Sequence, residues 1–419
     1  MPKSAGFCAG NPFACSRPTE SVNTSKRICL IGILAAALAG TLCGCAHLDG
    51  DGPRQSATDS DPVSRAIQGV KAQYAPNSHL AIFNVGAHRR GSELVLTGEV
   101  DRAEAKLETV RAVERTGTRV IDQIKLLPDE KLGDRVWGIS CLSVSGGREQ
   151  PEHKAEMGTQ MLMGEVVRVW KRSTNAVFAW YLTQSGDGYI SWQQKGTFVR
   201  CTREQAEAWN RGPLLIVTAL EDRILERPDA EAQPVSDVVL CNLVRKTGEV
   251  GDWYKVELPD QRTGFLPKPA AAEYDAWKQA RQPTAENIER TARRFIGRPY
   301  MWGCNSPKGF DCSGFTKTVF FLNGINLLRD SSQQARQGVE VALDGDLNQL
   351  KRGDLLFFGP RARHGKPERV VHVGIYLGDK LFIHSSERVR ISSLDPQSPL
   401  RDENRIRTLL HARRILPGE

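Results

Sequence analysis

One cysteine and two histidines in the C-terminal third of the chain have the types and spacing for nucleophilic acyl chemistry. Cys312 lies in Asp311-Cys312-Ser313, after a Pro307–Gly309 turn, and opens a segment with Phe315, Val319 and Leu322 at helical spacing that ends at Asn323-Gly324. The sulfur therefore falls in a first helical turn, where unpaired N–H groups and the positive end of the dipole favour thiolate over thiol. A lone helix cysteine is by default a small buried hydrophobe, so partners must decide its role. Arg369 to Ser386 reads as a β-hairpin, with Val371, Val373, Ile375 and Leu377 on one face, a turn at Gly378-Asp379-Lys380, and a return strand carrying His384. That turn pairs Leu377 with Leu381 and sets His384 opposite Gly374, diagonal to His372 on the other face, within roughly 7–8 Å. One imidazole can then take the thiol proton while the second fixes its tautomer. His364 has no such neighbour and reads as surface.

The elements that position these groups carry further motifs. They stand as Gly297-Arg298-Pro299-Tyr300-Met301-Trp302-Gly303, Asp311 to Phe315, His372 to Gly378, and Ile383-His384. In this order they resemble the NlpC-type papain-like cysteine peptidases of bacterial cell walls. Leu328 to Gln334 and Lys351 to Phe358, with two SH3-like domains in front, resemble the branch that cleaves γ-D-glutamyl-L-diamino acid bonds in peptidoglycan stem peptides bearing a free N-terminal L-Ala. The resemblance implies Cys312 as nucleophile, His372 as general base, His384 as its orienter, and the Tyr300 hydroxyl in an oxyanion hole with the Cys312 amide. It places Asp330 and Ser331 at the pocket, Asp330 pairing with the substrate ammonium. Asp311 and Ser313 flank the nucleophile, and Glu156 and Tyr189 close the pocket around the free amine. It implies no cofactor and no metal. Cys304 stands where the family usually has Gly, and a Cys304–Cys312 disulfide would remove the nucleophile, so Cys304 is expected to be reduced or paired elsewhere. Rival readings are a zinc set of Cys304, Cys312, His372 and His384, which lacks compact zinc spacing, and a lipid-anchored wall-binding scaffold whose catalytic domain is silent or transfers acyl groups.

The fold class is α+β: a papain-like catalytic domain over 282–417, preceded by two all-β SH3-like domains over 131–210 and 211–272 and a small α/β module over 66–130. The module has strand-like LAIFNV and ELVLTGEV, a helix from Arg102 to Arg115 and a closing strand at Val120–Leu127, and is weakly similar to BON domains. In the SH3-like stretches MLMGEVVRVW, VFAWYLT and YISWQ, then PLLIVTAL, DVVLCNLVRK and DWYKVELPDQRTGFLPK, read as strands, with Ser191 and Gln261 where the pattern usually has Gly. A helix from Thr284 to about Ile296, capped by Gly297, opens the catalytic domain.

Residues 1–45 read as an export signal. Lys26-Arg27 precede the uncharged Ile28–Leu42, too short for a span of about 20 residues, and Leu42-Cys43-Gly44-Cys45 resembles a lipobox with Cys45 as the lipidated residue. The long front end fits a start near Val22, and Ala46 fits outer-membrane retention in an organism with two membranes. Residues 46–65 have a tether composition. Processing would leave five cysteines, Cys141, Cys201, Cys241, Cys304 and Cys312, with Cys141 and Cys201 able to bridge. The 40% hydrophobic and 25% charged composition and net charge of +8 over 419 residues exclude wholesale disorder and a polytopic membrane protein. No basic run interleaved with aromatics supports nucleic acid as a partner. The expected partners are stem peptides and, through the anchor, a membrane.

Overall fold

The computed structural model describes residues 61–174, 178–363, 365–416 and 418. The signal, Cys45, most of the tether and His364 lie outside the described residues. The tether ends earlier than expected: Pro62 opens a helix to Tyr74, suited by proline at its first position, and this helix buries Val63, Ile67 and Val70. It packs with a helix at Ala103–Glu114 on a three-stranded sheet of Phe83–Arg90, Glu93–Val100 and Val120–Leu126, whose last two strands run parallel. The loop between that first helix and first strand carries His79.

Two seven-stranded sheets follow. MLMGEVVRVW is two strands, Met157–Leu162 and Val166–Arg172, because Gly164 takes φ 83° between them. DVVLCNLVRK is likewise divided, with Cys241 at φ 72°. Gln261, where glycine is usual, has φ 70°, which explains the preference it breaks.

The C-terminal region is a six-stranded antiparallel sheet in the order 339–341, 409–414, 355–358, 372–378, 381–386, 388–393. The helix Cys312–Leu322 lies on one face, burying Phe315, Val319 and Phe320 in a core shared with Val373, Ile375, Leu377 and Ile383. The helix Ala285–Arg293 adds Ile288 and Ala292 to this core, with Gly297 at φ 87° beyond it. The opposite face of the sheet packs Phe358, Phe382 and Leu356 into a second core.

The first seven-stranded sheet is joined to this unit along Met157–Leu162. Asn305 donates its backbone N–H to Gln160 Oε1 (3.0 Å) and its side-chain amide to the Gln160 carbonyl (3.3 Å). Gly303 sits so close to the Met157 carbonyl that a Cβ would lie 2.2 Å from it. Here glycine is required by the approach of two backbones. Among the described residues no helix is long and apolar enough to cross a membrane.

Candidate active site

Asp311 caps the helix that begins at Cys312. Its carboxylate accepts from the Gly314 amide (2.7 Å) and the Gly303 amide (3.0 Å). The helix start can approach the preceding loop only because residue 314 is glycine, since a Cβ there would lie 2.2 Å from the Cys304 carbonyl. Cys312 is buried, and the amides of Val373 and Ser313 reach its sulfur. The nucleophile candidate thus sits against the residue that follows His372.

The helix start favours thiolate over thiol, but the surroundings of the sulfur oppose it. Burial pushes Cys312 up to about 12, the Asp311 charge adds to the rise, and the Val373 and Ser313 amides only partly oppose it. The same burial, with Arg405 nearby, holds His372 well below the ordinary imidazole range. The resting pair is a neutral thiol and a neutral imidazole.

The two histidines meet as the hairpin register requires. His372 Nε2 lies 2.8 Å from His384 Nδ1, the rings 87° apart, and His384 Nε2 lies 3.1 Å from Ser392 Oγ. A Cβ on Gly374 would lie 3.2 Å from His384 Cβ, so glycine leaves the second ring its room. The turn differs from expectation. It is the two-residue Asp379-Lys380, both at positive φ (49° and 61°), and Gly378 rather than Leu377 pairs with Leu381. A bulge between Tyr376 and Gly378 absorbs the extra residue and restores the Ile375–Ile383 pairing. Ser392 completes the chain of polar groups; it comes from a third strand whose register no local pattern gives.

A cavity of about 390 Å³ opens beside Cys312, within the roughly 300–1,000 Å³ range of small-ligand clefts. It brings together Tyr300, Asp311, Cys312, Ser313, Asp330 and Ser331 of the C-terminal region with Glu156 and Tyr189, each the residue before a strand of the first seven-stranded sheet. The exposed apolar side chains of Trp302 and Val371 border it. Asp311 and Ser313 form its wall, but their polar atoms are engaged. Arg329, 1% exposed, donates to Asp311 Oδ2 (2.5 Å) and Oδ1 (3.2 Å), to Ser313 Oγ (3.1 Å) and to Thr159 Oγ1 (3.1 Å). These two residues fasten the nucleophile's helix. Tyr300 is half-buried and not ionised, its hydroxyl held above the usual tyrosine range by burial and by Cys312.

At the far end Tyr189 is 2% exposed, and its hydroxyl donates to Glu149 Oε1 (3.4 Å). Glu149 was not expected. It faces the exposed Glu156 across the start of a strand pair, where the Glu149 amide donates to the Glu156 carbonyl (2.9 Å), and the sequence gives no means of choosing between two such glutamates. Cys141, Cys201, Cys241, Cys304 and Cys312 are all unpaired, so the Cys141–Cys201 bridge does not form. Among the described residues no group of three or more His, Cys, Asp or Glu is placed to hold a metal ion, and the zinc set does not assemble.

The NlpC/P60 family model matches residues 297–407. A γ-D-glutamyl-L-lysine dipeptidyl-peptidase of Bacillus cereus (strain ATCC 10987 / NRS 248) is 31% identical over 266 residues, covering 62% of this chain and 76% of the relative. Dipeptidyl-peptidase 6 of Lysinibacillus sphaericus is 27% identical over 262 residues, covering 60% and 89%. The crystal structure of an NlpC/P60 family protein from Bacillus cereus ATCC 10987 superposes with a TM-score of 0.55 at 25% identity, covering 67% of this chain and all of that one. Similarity that runs through most of these relatives, and not the catalytic segment alone, means that the chain belongs to the NlpC/P60 family and is a cysteine peptidase.

Proposed function

We propose that this peptidase hydrolyses the bond between γ-D-glutamate and the diamino acid in peptidoglycan stem peptides that begin with a free L-Ala. The observation that carries the reading is the cavity's polarity: a thiol at one end, and the carboxylates of Asp330, Glu149 and Glu156 at the other. Such an end binds an ammonium and rejects a chain continued through a neutral amide. The names of the relatives, which specify γ-D-glutamyl-L-lysine and dipeptidyl cleavage, support the same bond.

In this reading His372 Nε2 donates to His384 Nδ1 and His384 Nε2 donates to Ser392, leaving the His372 Nδ1 lone pair for the thiol proton. The Cys312 sulfur attacks the γ-carbonyl carbon as its proton passes to His372. Tyr300 and the Cys312 amide donate to the developing oxyanion. The imidazolium returns the proton to the leaving amine, giving a thioester and a free diamino acid terminus. Water, deprotonated by His372, then releases the dipeptide and restores the thiol. The two seven-stranded sheets are assigned as SH3-like domains, and a lipid at Cys45 holds the enzyme at the cell envelope.

Rates on a free stem peptide and on the same peptide still attached to glycan test the reading. Equal kcat/KM values would overturn the free-amine preference. Mass spectrometry of products from the native enzyme and from Cys312→Ala identifies the bond.

A further inference from the structure

Asp330, assigned above to the substrate's ammonium, already holds a cation of this chain. His79 reaches it from the N-terminal module: Nδ1 lies 3.0 Å from Asp330 Oδ2, and Nε2 lies 3.5 Å from Glu149 Oε2. The ring packs on Tyr189, centroids 4.7 Å apart. The loop that carries it is pinned to the first seven-stranded sheet, since the Ile190 amide donates to the His79 carbonyl (2.7 Å) and the Gln184 side chain to the Leu80 carbonyl (3.3 Å). A neutral imidazole has one N–H and can serve one carboxylate, so two carboxylate partners call for the imidazolium. Hydrogen bonds to Asp330 and then Glu149 raise His79 to about 10 despite its partial burial, so it is charged throughout the neutral range.

We infer that His79 is an internal cation seated in the amine subsite, and that a substrate's N-terminal ammonium must take its place on Asp330 and Glu149. This rests on the free-amine reading above. Exchange of one cation for another leaves both carboxylates compensated, whereas an acylated terminus that displaced the ring would leave both without a cation, Glu149 keeping the Tyr189 hydroxyl and Asp330 the Gln333 amide. The His79 side chain is 34% exposed, so it can turn outward into water. The module at 61–127 thereby contributes a residue that sets substrate affinity from outside the catalytic region. His79 competes for the amine end and does not touch Cys312.

The test uses the full chain with His79→Ala and His79→Gln, a synthetic L-Ala-γ-D-Glu-L-Lys tripeptide and its N-acetyl form. Both variants are expected to lower KM for the free tripeptide about tenfold, the weight of one charge-assisted contact, with the change falling on KM and not on kcat. In the wild type, adding the L-Ala-γ-D-Glu product should return the His79 imidazole signals to an ordinary titration. A KM that rises or stays put in both variants, or His79 signals indifferent to the product, overturns the inference. Equal wild-type kcat/KM for the free and N-acetyl peptides is a different failure. It removes the free-amine reading, and this inference with it.

Discussion

Replacing Arg329 by methionine should destabilise the whole catalytic unit from a position expected to touch no substrate atom. The guanidinium is 1% exposed and forks onto both oxygens of Asp311, itself 7% exposed, while also holding Ser313 and, across the module boundary, Thr159. Methionine fills the volume but strands the Asp311 charge with no cation, leaving it the Gly303 and Gly314 amides and the Ser313 hydroxyl (3.3 Å). Breaking a buried pair from one side costs about 3–5 kcal/mol, a large part of a typical 5–15 kcal/mol stability. At about 2–4 °C per kcal/mol the melting temperature should fall by on the order of 10 °C. Asp311→Asn keeps a capping oxygen and removes the stranded charge, so the double variant should recover about 2 kcal/mol of the loss. Urea denaturation followed by tryptophan fluorescence, with peptide hydrolysis on the same samples, measures both effects. Activity should fall further than folded fraction, because the uncompensated carboxylate adjoins Cys312 and disfavours its thiolate. A loss under about 1 kcal/mol for Arg329→Met, or no recovery in the double variant, would refute the reasoning.

Cys312→Ala should fold normally, by circular dichroism, and lose activity by on the order of 10⁴-fold. Because burial holds the Cys312 thiol up at about 12, its alkylation by iodoacetamide should speed up about tenfold per pH unit from 6 to 9; a rate already flat at pH 6 would mean a resting thiolate. His384→Ala should cost far more kcat than Ser392→Ala, which removes one hydrogen bond and should cost about fivefold to tenfold. Burial raises Glu165 to about 7 from 4.5, so the folded state favours its protonated form, and that stability is complete below about 4.5 and lost as pH rises through 7. Glu165→Gln should therefore match the wild type at pH 4 and exceed it at pH 8 by on the order of 3 kcal/mol in urea denaturation.

What could be read in the sequence was what local pattern dictates. Asp311 before a helical apolar stripe specifies a cap, and the cap fixes Cys312 in the first turn. Alternation along Val373, Ile375 and Leu377 sorts the hairpin faces, and glycine at 374 marks the space His384 needs. The histidine register was read correctly through a wrong turn, because a three-residue loop and a two-residue loop with one bulged residue displace the strands equally. Glu149, Thr159 and His79 could not be found this way. Each reaches the site by the packing of one sheet or module against another, and such packing leaves no periodic trace in a chain. The upward shift of the Cys312 thiol could not be read for a related reason. A helix start is a local feature, whereas desolvation is set by everything packed around it.

That desolvation has a mechanistic consequence. It raises the thiol and lowers both imidazoles, His384 to about 3, so either charge alone is costly in this core. Passing one proton from sulfur to His372 creates two opposite charges at once and no net charge, and the two polar partners beyond His372 are already aligned to stabilise the imidazolium end. The Val373 and Ser313 amides stabilise the sulfur end. Burial therefore penalises either ion alone more than it penalises the transferred pair, and a reactive thiolate is formed when a carbonyl is there to receive it.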